Sequence, residues 1–83
     1  MNDVYKVRPV MPWIHIAEEI EARGWSVLYL RNRMHVDLSS FTGMMTGRIV
    51  IRGYLARELA RVFGTSVELW INLDRSYREG LGR

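Results

Sequence analysis

The sequence predicts an all-α fold, a bundle of five helices in one domain. Apolar residues recur in several segments with the spacing of one helix face. Good capping residues precede these segments, and glycines divide them at Gly24, Gly47 and Gly64. With 83 residues, of which 48% are apolar and 25% charged, the chain is long enough to bury one core and too apolar for a disordered polypeptide.

The first helix is predicted to begin at Pro12 and to end before Gly24. Proline suits the first helical position, because the N–H that it lacks would have no partner there. Ile16 and Ile20 repeat at i, i+4, and Arg23 stands at the end of the helix, where the helix dipole favours a positive charge. Glycine at position 24 suits the left-handed conformation of a C-terminal cap.

Two short helices are predicted next, with a short turn between them. Ser26 is a good N-cap for the first helix and Asp37 for the second. Each helix has an apolar face with helical spacing. The residues of these faces are Leu30 and Met34 in the first helix and Phe41, Met44 and Met45 in the second.

The fourth helix is predicted over residues 54–63, with Gly64 as its C-terminal cap. Thr65 followed three residues later by Glu68 has the pattern of a capping box, which predicts the start of a fifth helix.

The fifth helix carries an apolar stripe at i, i+3 and i+7. Its residues are Trp70, Leu73 and Tyr77. The chain after this stripe is polar and contains glycine, which is typical of a frayed end. The predicted organisation is an N-terminal arm at 1–11, a domain at 12–78 and a flexible tail at 79–83.

No metal or other cofactor is expected, since the chain lacks cysteine and its two histidines, His15 and His35, match no metal-binding spacing. The sequence contains no paired acids, no nucleophile with a base and no phosphate loop, so we expect no enzyme. It has no apolar run of the roughly 18 residues that a membrane span needs. Residues 1–10 lack the apolar core of a signal peptide. A cytoplasmic protein without membrane contact is therefore expected.

Positive charge is concentrated in the middle of the chain. Residues 26–63 hold six arginines against two acids, whereas residues 1–25 have a net charge of −1 and residues 64–83 are neutral. This distribution suits a polyanionic partner. A solvated surface with an excess of arginine would show the same distribution, and the charge alone gives the two interpretations similar weight.

The two short central helices also have the pattern of a helix-turn-helix. That motif joins two short helices by a turn of three or four residues, and its second helix lies in the major groove of DNA. It requires apolar residues in the first helix, in the turn and on the inner face of the second helix. Leu30, Val36, Phe41 and Met44 meet these requirements. An ordinary pair of short helices has the same apolar spacing, so both interpretations stay open on spacing alone.

Two stretches of the chain carry a resemblance to a known family. They are residues 18–26, EEIEARGWS, and residues 55–73, LARELARVFGTSVELWINL. These stretches resemble the HigA-type antitoxins, a branch of the XRE (Cro/repressor-like) helix-turn-helix superfamily, and the resemblance extends without a gap from Pro12 to Tyr77. It implies a lambda-repressor-like bundle and a homodimer that binds a palindromic operator in double-stranded DNA. It also implies repression of the protein's own operon and binding of a small RNase toxin.

The second central helix and the residues after it hold the candidate DNA contacts. Short side chains are predicted to face DNA, and the arginines that follow are predicted to contact phosphate. Arg31 flanks the same backbone or extends around a crowded helix crossing. The candidate DNA-binding residues are Leu38, Ser39, Ser40, Thr42, Gly43, Arg48, Arg52 and Arg31.

The resemblance also implies that the fifth helix forms the dimer interface. The candidate interface residues are Trp70, Leu73 and Tyr77, with the core as the alternative place for Trp70.

Three positions depart from the family pattern. Arg31 stands where the family usually has a small residue, His35 where it usually has glycine, and Val27 where it often has a glutamine that reaches phosphate. None of the residues predicted to face DNA is a long polar side chain able to form a bidentate contact with a base. Either readout depends on hydroxyls, thymine methyl groups and DNA shape, or sequence specificity is weak.

Three functions follow as alternatives. The first is a homodimeric transcriptional regulator that acts as the antitoxin of a HigB/HigA-type module. The second is a phage or mobile-element repressor with no toxin. The third is a helix-turn-helix fold that serves as a protein-interaction module. The central positive charge and Arg48 favour the first two, whereas Arg31 and the short side chains of the second central helix favour the third.

Overall fold

The computed structural model describes residues 11–81 and shows five helices with no strand in that range. The all-α prediction is therefore confirmed for the described residues. The predicted N-terminal arm, apart from Met11, and residues 82–83 of the predicted tail lie outside them. In chain order the helices are α1 (Pro12–Arg23), α2 (Val27–Arg33), α3 (Leu38–Met45), α4 (Tyr54–Phe63) and α5 (Val67–Leu81).

The ends of α1 and α4 follow from local sequence signals. Pro12 is the first residue of α1, as predicted. Gly24 and Gly64 end α1 and α4 with φ of +72°, a left-handed conformation that glycine adopts without steric cost. The N–H of Gly24 donates to the carbonyl of Glu21, and the N–H of Gly64 donates to that of Ala60. These contacts satisfy carbonyl groups that the helices leave free.

The start of α5 corrects the predicted capping box. Ser66, not Thr65, caps the helix, because its Oγ accepts the N–H of Leu69 at 3.1 Å. The Thr65 hydroxyl instead accepts the indole N–H of Trp70 at 2.7 Å, which satisfies a donor that the core would otherwise leave unpaired. At its other end α5 continues to Leu81, so residues 79–81, predicted as part of a flexible tail, are helical.

One apolar core joins all five helices. Trp70 is fully buried in it and packs against Phe63, with 5.6 Å between the ring centroids. Burial of this apolar surface is the main contribution to the stability of a domain of this size. The buried apolar residues are Ile16, Ile20, Leu30, Met34, Phe41, Met44, Ile51, Leu55, Ala56, Leu59, Ala60, Val62, Phe63 and Trp70.

An aromatic cluster fixes the corner between α1 and α2. Trp25 stacks on Phe63 at the end of α4, with 5.7 Å between centroids. The Arg23 guanidinium lies over both rings and donates to the carbonyl of Phe63 at 2.8 Å. These cation–π contacts and the hydrogen bond hold the start of α2 against the end of α4.

None of the helices within residues 11–81 combines the length and the hydropathy that a membrane crossing requires.

Candidate nucleic-acid interface

Helices α2 and α3 and the short turn between them, residues 34–37, make up the α2–α3 unit. The Ser26 hydroxyl caps α2 by accepting the N–H of Tyr29 at 3.0 Å, as the sequence predicts. Asp37 occupies the N-cap position of α3 with an extended backbone, but its side chain makes no capping hydrogen bond. Met34, in the turn, is buried in the core, so the turn is anchored from inside.

Helix α4 holds the turn from outside through three hydrogen bonds. The Glu58 carboxylate accepts the N–H of His35 at 2.8 Å. Arg61 donates to the carbonyl of Arg33 at 2.8 Å, and the Tyr54 hydroxyl donates to the carbonyl of His35. The backbone between α2 and α3 is therefore fixed relative to α4.

The Glu58 carboxylate is held in its charged form. Its hydrogen bond from Arg61, at 2.8 Å, and then that from the His35 N–H lower the pKa of Glu58 below its ordinary value of 4.5. No residue other than glycine in the described chain has a positive φ, so His35 avoids the left-handed conformation. The Glu58 carboxylate is thus the hydrogen-bond partner of the His35 N–H in the turn.

The outer face of α3 carries three of the predicted DNA contacts. Leu38, Ser39 and Thr42 are exposed there. Ser40 is half-buried and faces the Asp37 carboxylate, whose pKa its hydroxyl lowers. The structure therefore keeps three of these four side chains on the open surface, and the fourth is half-buried.

Gly43 does not lie on that surface, which corrects its assignment as a DNA contact. It is buried, and a Cβ atom at this position would collide with the side chain of Ile49. The absence of a side chain lets the segment after α3 fold back across it. Gly43 therefore has a packing role.

The segment between α3 and α4 presents the two arginines predicted to bind phosphate. Arg48 and Arg52 are both exposed, and neither forms an ion pair with any residue of the described range 11–81. The N–H of Arg48 donates to the carbonyl of Gly43 at 2.8 Å, which keeps Arg48 beside the last turn of α3.

Helix α5 anchors the same segment through Arg78. The guanidinium of Arg78 donates to the carbonyls of Gly47 and Ile49 at 3.1 and 3.0 Å. Its Nε donates to Asp74 at 2.8 Å, and Asp74 is only 2% exposed. An ion pair on α5 between the buried Asp74 and the half-buried Arg78 therefore positions the backbone that carries Arg48.

Arg31 is half-buried on α2 and has no ion-pair partner within residues 11–81. It is not sealed in the core, which agrees with the high cost of burying an unpaired charge.

The residues predicted for a dimer interface lie mostly inside the protomer. Trp70 belongs to the core, which corrects its assignment to an interface. Leu73 is half-buried and packs against the core, and Tyr77 is half-buried beside Gly47. The apolar stripe predicted on the fifth helix therefore serves chiefly to attach α5 to the rest of the bundle.

Sequence analysis missed the residues that position this surface: Tyr54, Glu58 and Arg61 on α4, and Asp74 and Arg78 on α5. Two sequence spacings give a partial signal, because Glu58 and Arg61 are at i, i+3 and Asp74 and Arg78 at i, i+4. Nothing local indicates that both arginines also reach backbone carbonyls about thirty residues away in sequence.

Large apolar side chains are also exposed on the α2–α3 unit. Leu28 on α2 is 66% exposed and Leu38 on α3 is 59% exposed, and Val27 and Tyr29 at the start of α2 are exposed as well. Among the residues that sequence analysis assigns to DNA, Leu38 is thus a large exposed apolar side chain, and further apolar side chains are exposed on the neighbouring helix α2.

Comparison of the chain with family models, with curated proteins and with solved structures finds no match.

Proposed function

We propose that this protein is a DNA-binding transcriptional regulator in which α2, the turn and α3 act as a helix-turn-helix. The observation that supports this most is the surface formed by α3 and the segment after it. The outer face of α3 is exposed and carries Leu38 with short polar side chains, and the exposed Arg48 lies beside its last turn. Arg52 is exposed in the segment that leads to α4, and neither arginine forms an ion pair in the described chain. An exposed helix face with a guanidinium group beside its last turn suits a helix in the major groove with phosphates next to it.

The hydrogen bonds that hold this surface in place support the same proposal. Contacts from α4 fix the turn before α3, and Arg78 fixes the segment after it. A protein that reads base edges must present its helix in one orientation, because hydrogen bonds and apolar contacts act only at short range.

The biological role that we propose follows from the resemblance to HigA-type antitoxins. It is repression of the protein's own operon by a homodimer bound to a palindromic operator, together with binding of a small RNase toxin. A short basic reading frame beside the gene would support this role over that of a phage or mobile-element repressor.

The test compares two arginine variants on the DNA upstream of the protein's own reading frame. Arg48→Ala should weaken binding to this duplex and to a scrambled duplex nearly equally, because phosphate contacts carry no sequence information. Arg57→Ala is the matched control, since Arg57 is an exposed arginine on α4 without an ion pair in residues 11–81. Equal losses in the two variants would indicate nonspecific charge attraction and would count against the proposed surface.

A second candidate function is a protein-interaction module. The exposure of Leu28 and Leu38 favours it, because large exposed apolar side chains are typical of surfaces that contact other proteins. The two candidates differ in one measurement. That measurement is the affinity for duplex DNA at several salt concentrations. A transcriptional regulator binds duplex DNA in a salt-dependent way, whereas a protein-interaction module does not.

A further inference from the structure

The outer face of α3 carries side chains that bear methyl groups. Leu38 and Thr42 stand there at i and i+4, Thr46 follows at i+8 as the residue that caps the end of the helix, and all three are exposed. The Thr46 hydroxyl donates back to the carbonyl of Thr42 at 2.8 Å, so the polar end of this threonine is engaged with the helix. Leu38 is aliphatic and Thr42 carries one methyl group beside its hydroxyl, so the row offers aliphatic groups to whatever lies against α3.

The other side chains of α3 extend no long polar group from the helix. Ser39 is exposed but short, Ser40 is half-buried, and Gly43 is covered by Ile49. A surface of this kind cannot form the bidentate hydrogen bonds by which arginine or asparagine reads guanine or adenine. Its complement in the major groove is an apolar group.

Thymine supplies that group, because its C5-methyl is the apolar feature by which the major groove distinguishes the bases. Four helical residues span about 6 Å along an axis. Successive bases of one strand are about 3.4 Å apart, so neighbouring members of the row match thymines two base pairs apart.

We propose that Leu38 and Thr42 are specificity-determining residues that read the methyl groups of two thymines spaced two base pairs apart in each half-site. This inference rests on the proposed function, since it requires α3 to lie in the major groove. It states which chemical group, the C5-methyl of thymine, marks the DNA that the protein prefers.

The experiment uses duplexes that the full-length protein selects from a random library. The selected duplex is resynthesised with deoxyuridine in place of thymine at one position at a time, which removes only the C5-methyl. Loss of one buried methyl contact should weaken binding about fourfold, the fold-change equivalent to about 0.8 kcal/mol. We expect two sensitive positions in each half-site, two base pairs apart.

Variants assign each thymine to a side chain. Leu38→Ala should bind the thymine duplex more weakly and lose sensitivity to deoxyuridine at one position. Thr42→Ser removes one methyl group from the protein and should lose sensitivity at the other. Such double-mutant cycles isolate the contact from any effect of deoxyuridine on the duplex itself. Leu28→Ala, which shortens an equally exposed leucine on α2, should keep both sensitivities.

The outcomes separate this inference from the proposed function. Salt-dependent binding with equal affinity for thymine and deoxyuridine duplexes overturns the inference and leaves the DNA-binding function intact. Sensitivity that persists in Leu38→Ala and Thr42→Ser also overturns it, because other groups would then read the methyls. If no duplex is selected at all, both the inference and the proposed function fail.

Discussion

At the scale of single residues, Gly43 has a packing constraint that its exposed neighbours on α3 do not share. Alanine at an ordinary helical glycine stabilises a protein by about 0.5–1 kcal/mol. At Gly43 the added methyl meets Ile49, and forcing a group into a packed site costs about 1–3 kcal/mol. We therefore expect Gly43→Ala to lower the free energy of unfolding, measured by chemical denaturation.

Two further variants check the cause of this loss. Thr42→Ala, at the exposed neighbouring position, should change the free energy of unfolding by less than about 0.5 kcal/mol. Ile49→Ala in the Gly43→Ala background should cost less than Ile49→Ala alone, since it opens the space that the new methyl needs. A stabilised Gly43→Ala would contradict the close approach of Ile49.

Glu58 gives the protein a predictable pH dependence. Its pKa is lower in the folded chain than the ordinary 4.5, mainly through Arg61. The ionised carboxylate therefore contributes stability that is present above the unfolded pKa and is lost as the pH falls through the folded pKa. Glu58→Gln should be less stable than the wild type at about pH 7, and the difference in the free energy of unfolding should shrink toward about pH 3. Urea denaturation at both values tests this, and a difference independent of pH would contradict it.

At the scale of elements, the sequence predicts the features that depend on local signals and misses those that depend on long-range contacts. The ends of α1 and α4 were predictable because proline and glycine act within their own helix turn. The start of α5 was misplaced by one residue, because Thr65 and Ser66 are both good caps and the choice depends on Trp70 in the core.

The same distinction holds for the features of the candidate site. The exposed positions Leu38, Ser39 and Thr42 follow from the helical spacing of the buried residues on the opposite face. The burial of Gly43 does not, because it depends on the path of the segment after α3. The contacts of Glu58 with the turn join residues more than twenty positions apart, and no local pattern indicates them.

The Asp74–Arg78 pair makes α5 a support for the segment between α3 and α4. Arg78→Ala would leave the buried Asp74 carboxylate without its cation, which typically costs about 3–5 kcal/mol. It would also free the carbonyls of Gly47 and Ile49. We expect a large loss of stability and faster amide hydrogen exchange in residues 46–53.

Arg75→Ala is the matched control on the same helix, since Arg75 is exposed and has no ion pair within residues 11–81. It should change the free energy of unfolding by less than about 0.5 kcal/mol. Comparable losses in the two variants would show that Arg78 has no special role in holding the segment.

At the scale of the whole molecule, the assembly state stays a prediction. A homodimer is implied by the resemblance, but Trp70 is buried within the protomer and Leu73 packs against its core. Leu73→Glu would therefore destabilise the fold as well as disturb an interface. Light scattering of the wild type at micromolar concentration is the cleaner test. A dimer is the expected result, and a monomer would contradict the palindromic mode of binding.

Charge is unevenly distributed along the chain. The middle of the chain carries its positive excess, and the exposed Arg48 and Arg52 belong to it. Each phosphate that such a residue neutralises releases counterions, and the slope of log K against log salt is about −0.9 per contact on duplex DNA. Two arginines in each protomer of a dimer give roughly four contacts.

The most direct measurement is the affinity of the wild type for the DNA upstream of its own reading frame at several salt concentrations, with Arg48→Ala titrated in parallel. We predict a wild-type slope of about −3.6 or steeper and a slope flatter by about two for Arg48→Ala in a dimer. The absence of salt-dependent binding to this DNA and to scrambled duplexes would contradict the DNA-binding function. The protein-interaction module would then be the better account of the exposed surface on α2 and α3.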